Sequence, residues 1–129
     1  MHLGQEDVQT ADLGAIAKAG VRLGLSTHGY YEMLRALHFK PSYLALGAVF
    51  PTTTKVMPTR PQGLARLRRY VQLLSGRVPL VAIGGIDAGV MPDVLATGVG
   101  SAAVVRAVTE APDAAAAVSS LQRMFAGQR

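Results

Sequence analysis

Short apolar runs alternate with amphipathic stretches along the whole chain, and most of the runs stop at a glycine, a proline or a small polar residue. Runs of this kind lack the polar–apolar alternation of a half-solvated sheet, so they need helical crossovers to cover them. The pattern therefore predicts an α/β fold with a parallel sheet. Strands are expected at Val21–Leu25, Tyr43–Val49, Leu80–Ile83 and Ser101–Val105, and Leu3 reads as the end of an earlier one. Helices are expected over Tyr30–His38, closed by Pro41, and over Pro61–Leu74. Another should begin near Gly89, because Pro92 is tolerated only in a first turn, and end at Gly98. The last runs from about Pro112 to Phe125, and Thr10 could cap a helix carrying Leu13 and Ile16 that stops at Gly20.

The 129 residues, half of them hydrophobic and only 16% charged, suffice for one domain with a core and exclude a disordered chain. No linker divides residues 1–129, so a single domain is expected. Cysteine is absent, which rules out disulfides and thiolate metal sites and fits a reducing, cytoplasmic setting. Met1 to Leu13 is polar and acidic, unlike a signal peptide, and no apolar run approaches the ~20 residues of a membrane span. The net charge of +5 suits either nucleic acid or a small polyanion. Its densest cluster, Arg60, Arg66, Arg68 and Arg69, lies opposite Leu64, Leu67, Val71 and Leu74 on one helical wheel, as expected of a solvated face. Aromatic residues make up 5% and are not interleaved with the basic ones, so no nucleic-acid platform is expected.

Function should sit where the strands end. Thr52-Thr53-Thr54-Lys55 puts three hydroxyls and an ammonium in a loop from Pro51 to Pro61, and these groups suit a phosphate. Gly84-Gly85 permits close approach of a ligand or of neighbouring backbone, or marks a simple tight turn. Val105 and Arg106 open a loop that can offer backbone N–H groups and a guanidinium. Ser26 could donate to a phosphate or a leaving oxygen and His28 could move a proton, although Ser26-Thr27-His28 also suits helix capping. Asp7 is either a hard oxygen ligand for Mg2+ or an ordinary acid near a helix start.

Five segments occur in order: Leu3-Gly4-Gln5-Glu6-Asp7, Ser26-Thr27-His28, Gly47 to Lys55, Ala82-Ile83-Gly84-Gly85-Ile86 and Ala103-Val104-Val105-Arg106. Together they resemble the thiamine-phosphate synthase family, transferases of thiamine biosynthesis built on a (β/α)8 TIM barrel. The resemblance implies a TIM-barrel type fold of which this chain is the second half. It implies joining of hydroxymethylpyrimidine diphosphate to thiazole phosphate, with release of pyrophosphate and a magnesium requirement. Carried over by motif, Asp7 would ligate the metal, and Ser26 and Lys55 would contact the pyrimidine diphosphate and act in catalysis. Thr52, Thr53, Thr54, Gly85, Val105 and Arg106 would hold the thiazole phosphate. Many relatives have serine where Arg106 stands, so its backbone role transfers and its side-chain role does not.

The family's upstream segments, a Gln-x-Arg-x-Lys motif and an Asn-Asp pair with the second metal ligand, have no counterpart here. Met1 falls about where the fourth barrel strand would end. A half barrel would expose inner side chains and two sheet edges, so a truncated, split or fragmentary product is expected, pairing with the missing half or with itself. Two other functions stay open: a thiazole tautomerase using His28, and a catalytically silent phosphate-binding half-barrel.

Overall fold

A computed structural model describes residues 1–56 and 60–127, so part of the Pro51-to-Pro61 loop lies outside the described residues. Five strands form one parallel sheet: β1 His2–Leu3, β2 Gly24–Thr27, β3 Tyr43–Leu46, β4 Leu80–Ile83 and β5 Ser101–Ala103. Among the described residues, helices follow each strand: α1 Gln5–Val8 and α2 Leu13–Lys18 after β1, α3 Tyr30–Leu37 after β2, α4 Gly63–Leu74 after β3, α5 Met91–Leu95 after β4, and α6 Arg106–Thr109 and α7 Ala114–Ala126 after β5. The spatial order β1-β2-β3-β4-β5 follows the chain order without reversal. A doubly wound sheet reverses at a switch point, whereas a barrel keeps winding one way. The topology is therefore that of consecutive (β/α) barrel units.

Register shows which face the helices cover. Leu3, Leu25, Leu44 and Leu80 are aligned across four strands, and so are Thr27, Leu46, Ala82 and Ala102. These side chains meet Met33 and Ala36 of α3, Leu67, Tyr70 and Leu74 of α4, and Met91 and Val94 of α5 in one core. Thr27, the polar member, is satisfied by donating to the Ala45 carbonyl at 2.9 Å. The other face carries His2, Gly24 and Tyr43 in one row and Ser26, Ala45, Val81 and Ser101 in the next. In a barrel this face is the interior. Here His2, Ser101 and Ala103 are exposed and Ser26, Tyr43, Val81 and Ile83 are half-buried. One face is thus open, not both covered. Leu44 lies at the centre of the covered side, fully buried. Leu44→Ala is expected to cost about 2–5 kcal/mol in chemical denaturation, because a central strand cannot collapse onto the gap.

The elements arise where expected, and several boundaries move. Val21 is exposed and β2 starts only at Gly24; β3 ends at Leu46 and β5 at Ala103, before their apolar runs do. Pro61 precedes α4, which starts at Gly63. Pro92 does lie in the first turn of α5. Asp12, not Thr10, caps α2 by accepting from the Ala15 N–H at 2.9 Å. Thr10 instead donates back to the Asp7 carbonyl, because α1 ends just before it. The chain then leaves α2 through Gly20 at φ +69°. Helices α1 and α6 each span four residues, too short to leave a periodic signal.

Candidate active site

In a parallel sheet every strand ends on the same rim, and the five sequence-predicted loops all leave from it. Named hydrogen bonds join four of them. Gln5, in the helix that carries Asp7, donates through Nε2 to the Ser26 carbonyl at 2.7 Å. Gln62, just before α4, donates through Nε2 to the His28 carbonyl at 2.7 Å and through its backbone N–H to the Ala48 carbonyl at 2.7 Å. It also accepts from the Tyr70 hydroxyl at 2.9 Å and from Arg66 at 3.1 Å. The N–H of Phe50 donates to the Gly84 carbonyl at 3.1 Å. Gly85 packs against the threonine loop: a Cβ there would stand 2.4 Å from the Pro51 oxygen and 2.9 Å from the Phe50 Cβ. Asp7, Ser26, Lys55 and Gly85 thus share one connected rim. Val105 and Arg106 leave the same rim from β5, not as a loop but as the N-cap and first residue of the short helix α6, with both residues exposed.

The threonine loop borders a depression of about 450 Å³ lined by Ala48, Phe50, Pro51, Thr52, Thr53 and Lys55. The Thr52 hydroxyl oxygen accepts from the Thr54 N–H at 3.2 Å, which leaves its proton free to donate outward. Thr54 does not line the depression, and its N–H is already engaged. Lys55 is exposed, with no carboxylate partner among the described residues. A larger cavity, about 560 Å³, lies against β5, α5 and α7 among Met91, Val104, Leu121 and Phe125. It has no charged lining residue, and Ser101 and Gln122 are its polar side chains.

Asp7 sits inside α1 rather than in an open loop, and its Oδ2 accepts from the Gly4 N–H at 2.9 Å as a helix cap does. That leaves Oδ1 for a cation. No group of three His, Cys, Asp or Glu side chains gathers among the described residues. Magnesium often takes one or two carboxylates and completes its shell with water and substrate phosphates. The donors here suit such a shared site and do not make a closed one.

Sequence reasoning missed several neighbours. His2 lies between Ser26 Oγ and the Tyr43 hydroxyl, 2.8 Å from each. Burial, and then the N-terminal ammonium, lower its pKa below the usual histidine value. Glu32 Oε2 lies 2.9 Å from His28 Nδ1 and accepts from the His28 N–H at 2.6 Å. The four-residue spacing of His28 and Glu32 was the available signal for that pair. Nothing local marked His2 or Gln62.

The model of the thiamine monophosphate synthase family matches residues 1–108. The chain belongs to this family. It is 59% identical over 128 residues to the thiamine-phosphate synthase of Pectobacterium atrosepticum, covering 99% of this chain and 60% of that protein. The Neisseria meningitidis serogroup B thiamine-phosphate synthase is 61% identical over 127 residues, which are 98% of this chain and 62% of that protein. Among solved structures, the thiamine phosphate pyrophosphorylase of Pyrococcus furiosus superposes with a TM-score of 0.80 at 35% identity. That match covers 98% of this chain and 59% of the other. This member of the thiamine monophosphate synthase family thus spans about three-fifths of the length of the relatives it matches. Among its described residues no helix is long and apolar enough to cross a membrane.

Proposed function

We propose that this chain supplies one side of a thiamine-phosphate synthase site, which couples hydroxymethylpyrimidine diphosphate to thiazole phosphate and releases pyrophosphate. The observation that carries the reading is the linked rim: Gln5, Gln62, Phe50 and Gly85 tie the loops of Asp7, Ser26, Lys55 and the threonines together. Scission of the C–O bond between the pyrimidine methylene and the diphosphate leaves negative charge on the departing oxygen. Lys55 and the Ser26 hydroxyl neutralise that charge as it grows. Asp7 and the diphosphate would hold Mg2+ between them, which supplies further positive charge when bound. The Thr52 and Thr53 hydroxyls, the close backbone at Gly85, and the N–H groups of Val105 and Arg106 hold the thiazole phosphate. With that phosphate clamped, the ring nitrogen faces the cationic methylene carbon and forms the new C–N bond. The reading places the enzyme in the cytoplasm, because multiply charged phosphates cross an apolar barrier at high cost.

The relatives carry further length, and the inner sheet face and both edge strands are open here. The proposal therefore includes complementary strand–helix units, whether joined to this chain, provided by another polypeptide or replaced by a second copy. They would complete the barrel, the diphosphate site and the metal site. The 129-residue chain alone is then expected to self-associate in sedimentation, and to release pyrophosphate from the two substrates with magnesium only when the complementary units are present. A stable monomer that is fully active alone would refute the need for them. No pyrophosphate from the completed assembly would refute the synthase itself.

The Glu32–His28 contact favours one other reading, a tautomerase in which the carboxylate orients His28 for proton transfer. The same Glu32 oxygen also takes the His28 N–H at the start of α3, which a capping role explains equally well. Isomerisation of the thiazole phosphate without pyrophosphate release, lost in His28→Asn, would favour this alternative.

A further inference from the structure

Tyr43, His2 and Ser26 form a hydrogen-bonded series across three strands on the open face of the sheet. The Tyr43 hydroxyl is 2.8 Å from His2 Nδ1, and His2 Nε2 is 2.8 Å from Ser26 Oγ. The Tyr43 ring stacks on the imidazole with centroids 5.6 Å apart and planes 20° from parallel. Gly24 is in register with both His2 and Tyr43. A Cβ on Gly24 would stand 2.0 Å from the Tyr43 Cζ atom. The missing side chain is what lets the phenol lie across β2 and reach the imidazole on β1. A glycine inside a strand weakens it, so this one marks a close approach.

We propose that His2, held by Tyr43, is a positioning residue that turns the Ser26 hydroxyl proton outward, toward an anion on the rim. The proposal rests on the reading of Ser26 as a diphosphate contact. A neutral imidazole has one N–H and one bare nitrogen, and here each nitrogen faces a hydroxyl. A phenol is the more acidic of the two hydroxyls and the better donor, so Tyr43 donates to Nδ1. Nε2 then carries the proton and donates to Ser26 Oγ. The serine oxygen is thereby used as an acceptor, and its own proton is free to donate to the ligand. In the other tautomer Ser26 would spend its proton on Nε2 and turn lone pairs toward the anion. Aligned bonds of this kind polarise one another, which strengthens the terminal donor. Partial desolvation lowers the pKa of His2, which favours the neutral ring in which the tautomer matters.

Nitrogen-15 spectra of the histidine-labelled 129-residue chain test this, with His2→Gln assigning the signal among the three histidines. The expected result is an Nε2–H tautomer for His2. Tyr43→Phe, which keeps the ring and removes the donor, should shift the population toward Nδ1–H. Gly24→Ala should act in the same direction by displacing the phenol. In the completed assembly, affinity for inorganic pyrophosphate with magnesium should fall about 5-fold in Tyr43→Phe, as for loss of one well-made hydrogen bond. An Nδ1–H tautomer in the unmodified chain, or a tautomer unmoved by Tyr43→Phe, would overturn the proposal and leave the synthase reading standing. A shifted tautomer with unchanged pyrophosphate affinity would overturn the link to the anion. If the completed assembly binds no pyrophosphate, Ser26 is not a diphosphate contact, and both readings fail together.

Discussion

Lys55→Ala is expected to lower pyrophosphate release by the completed assembly by about 10²–10³-fold, as removal of one preorganised charge-stabilising group commonly does. Lys55 is exposed on the rim beside Thr52 and Thr53 and has no carboxylate partner among the described residues. Its ammonium is therefore not committed to holding the fold. Stability should accordingly change by no more than about 0.5 kcal/mol, the usual range for surface substitutions. The loss should appear in kcat as well as KM, because the charge on the leaving group grows during bond scission. Lys55→Arg keeps the charge but alters its shape and reach, so it should recover only part of the rate. Paired measurements of turnover and thermal unfolding separate the two effects. A Lys55→Ala enzyme with unimpaired turnover would remove Lys55 from the chemistry.

Gly85→Ala should be strongly destabilising, although it adds only one methyl to the rim. Gly85 has φ +67°, where a side chain costs about 1–2 kcal/mol. The added methyl would also meet the Pro51 oxygen at 2.4 Å and the Phe50 Cβ at 2.9 Å. Neither contact is the free end of a flexible side chain, so the threonine loop itself has to move. A total cost of about 2–5 kcal/mol follows when the overpacking penalty of about 1–3 kcal/mol is added. Gly20 provides the control: its φ is +69°, but nothing lies within 4 Å of its would-be Cβ. Gly20→Ala should therefore show the conformational cost alone. Denaturation of the two variants isolates the packing contribution, and equal losses would mean that the turn after β4 does not brace the threonine loop. Because that loop borders the proposed phosphate site, Gly85→Ala should also weaken binding of phosphorylated ligands, which Gly20→Ala should not.

Much of the architecture was legible because burial leaves a local record. Leu80–Ile83 and Tyr43–Leu46 are apolar because a covered sheet requires it, and Leu67, Tyr70 and Leu74 recur at the helical period because one side of α4 is buried. Exact ends were less legible. Asp12 and Thr10 are both good capping residues, and only the end of α1 at Val8 gives the role to Asp12. The run after Tyr43 continues to Val49, yet strand pairing stops at Leu46, where the backbone turns toward Gly84 and Gln62. Residues such as Ala48 and Val49 are buried by that turn rather than by the sheet, so their hydrophobicity overstated the strand.

The candidate site divides along the same line. Which residue types end each strand, and in what order, is written in the chain, and that order, through the family resemblance it carries, makes Asp7, Ser26, Lys55 and Gly85 candidates. Which of their polar atoms remain free was decided only by the tertiary structure. His2 meets Ser26, and Tyr43 meets His2, through the pairing of β1 with β2 and β2 with β3. Gln62 reaches His28 across 34 positions of sequence. Periodicity records whether a side chain faces a core, because burial acts on each residue singly. A hydrogen-bond partner is a property of two residues and of the register between their strands, so it has no signature in either residue alone.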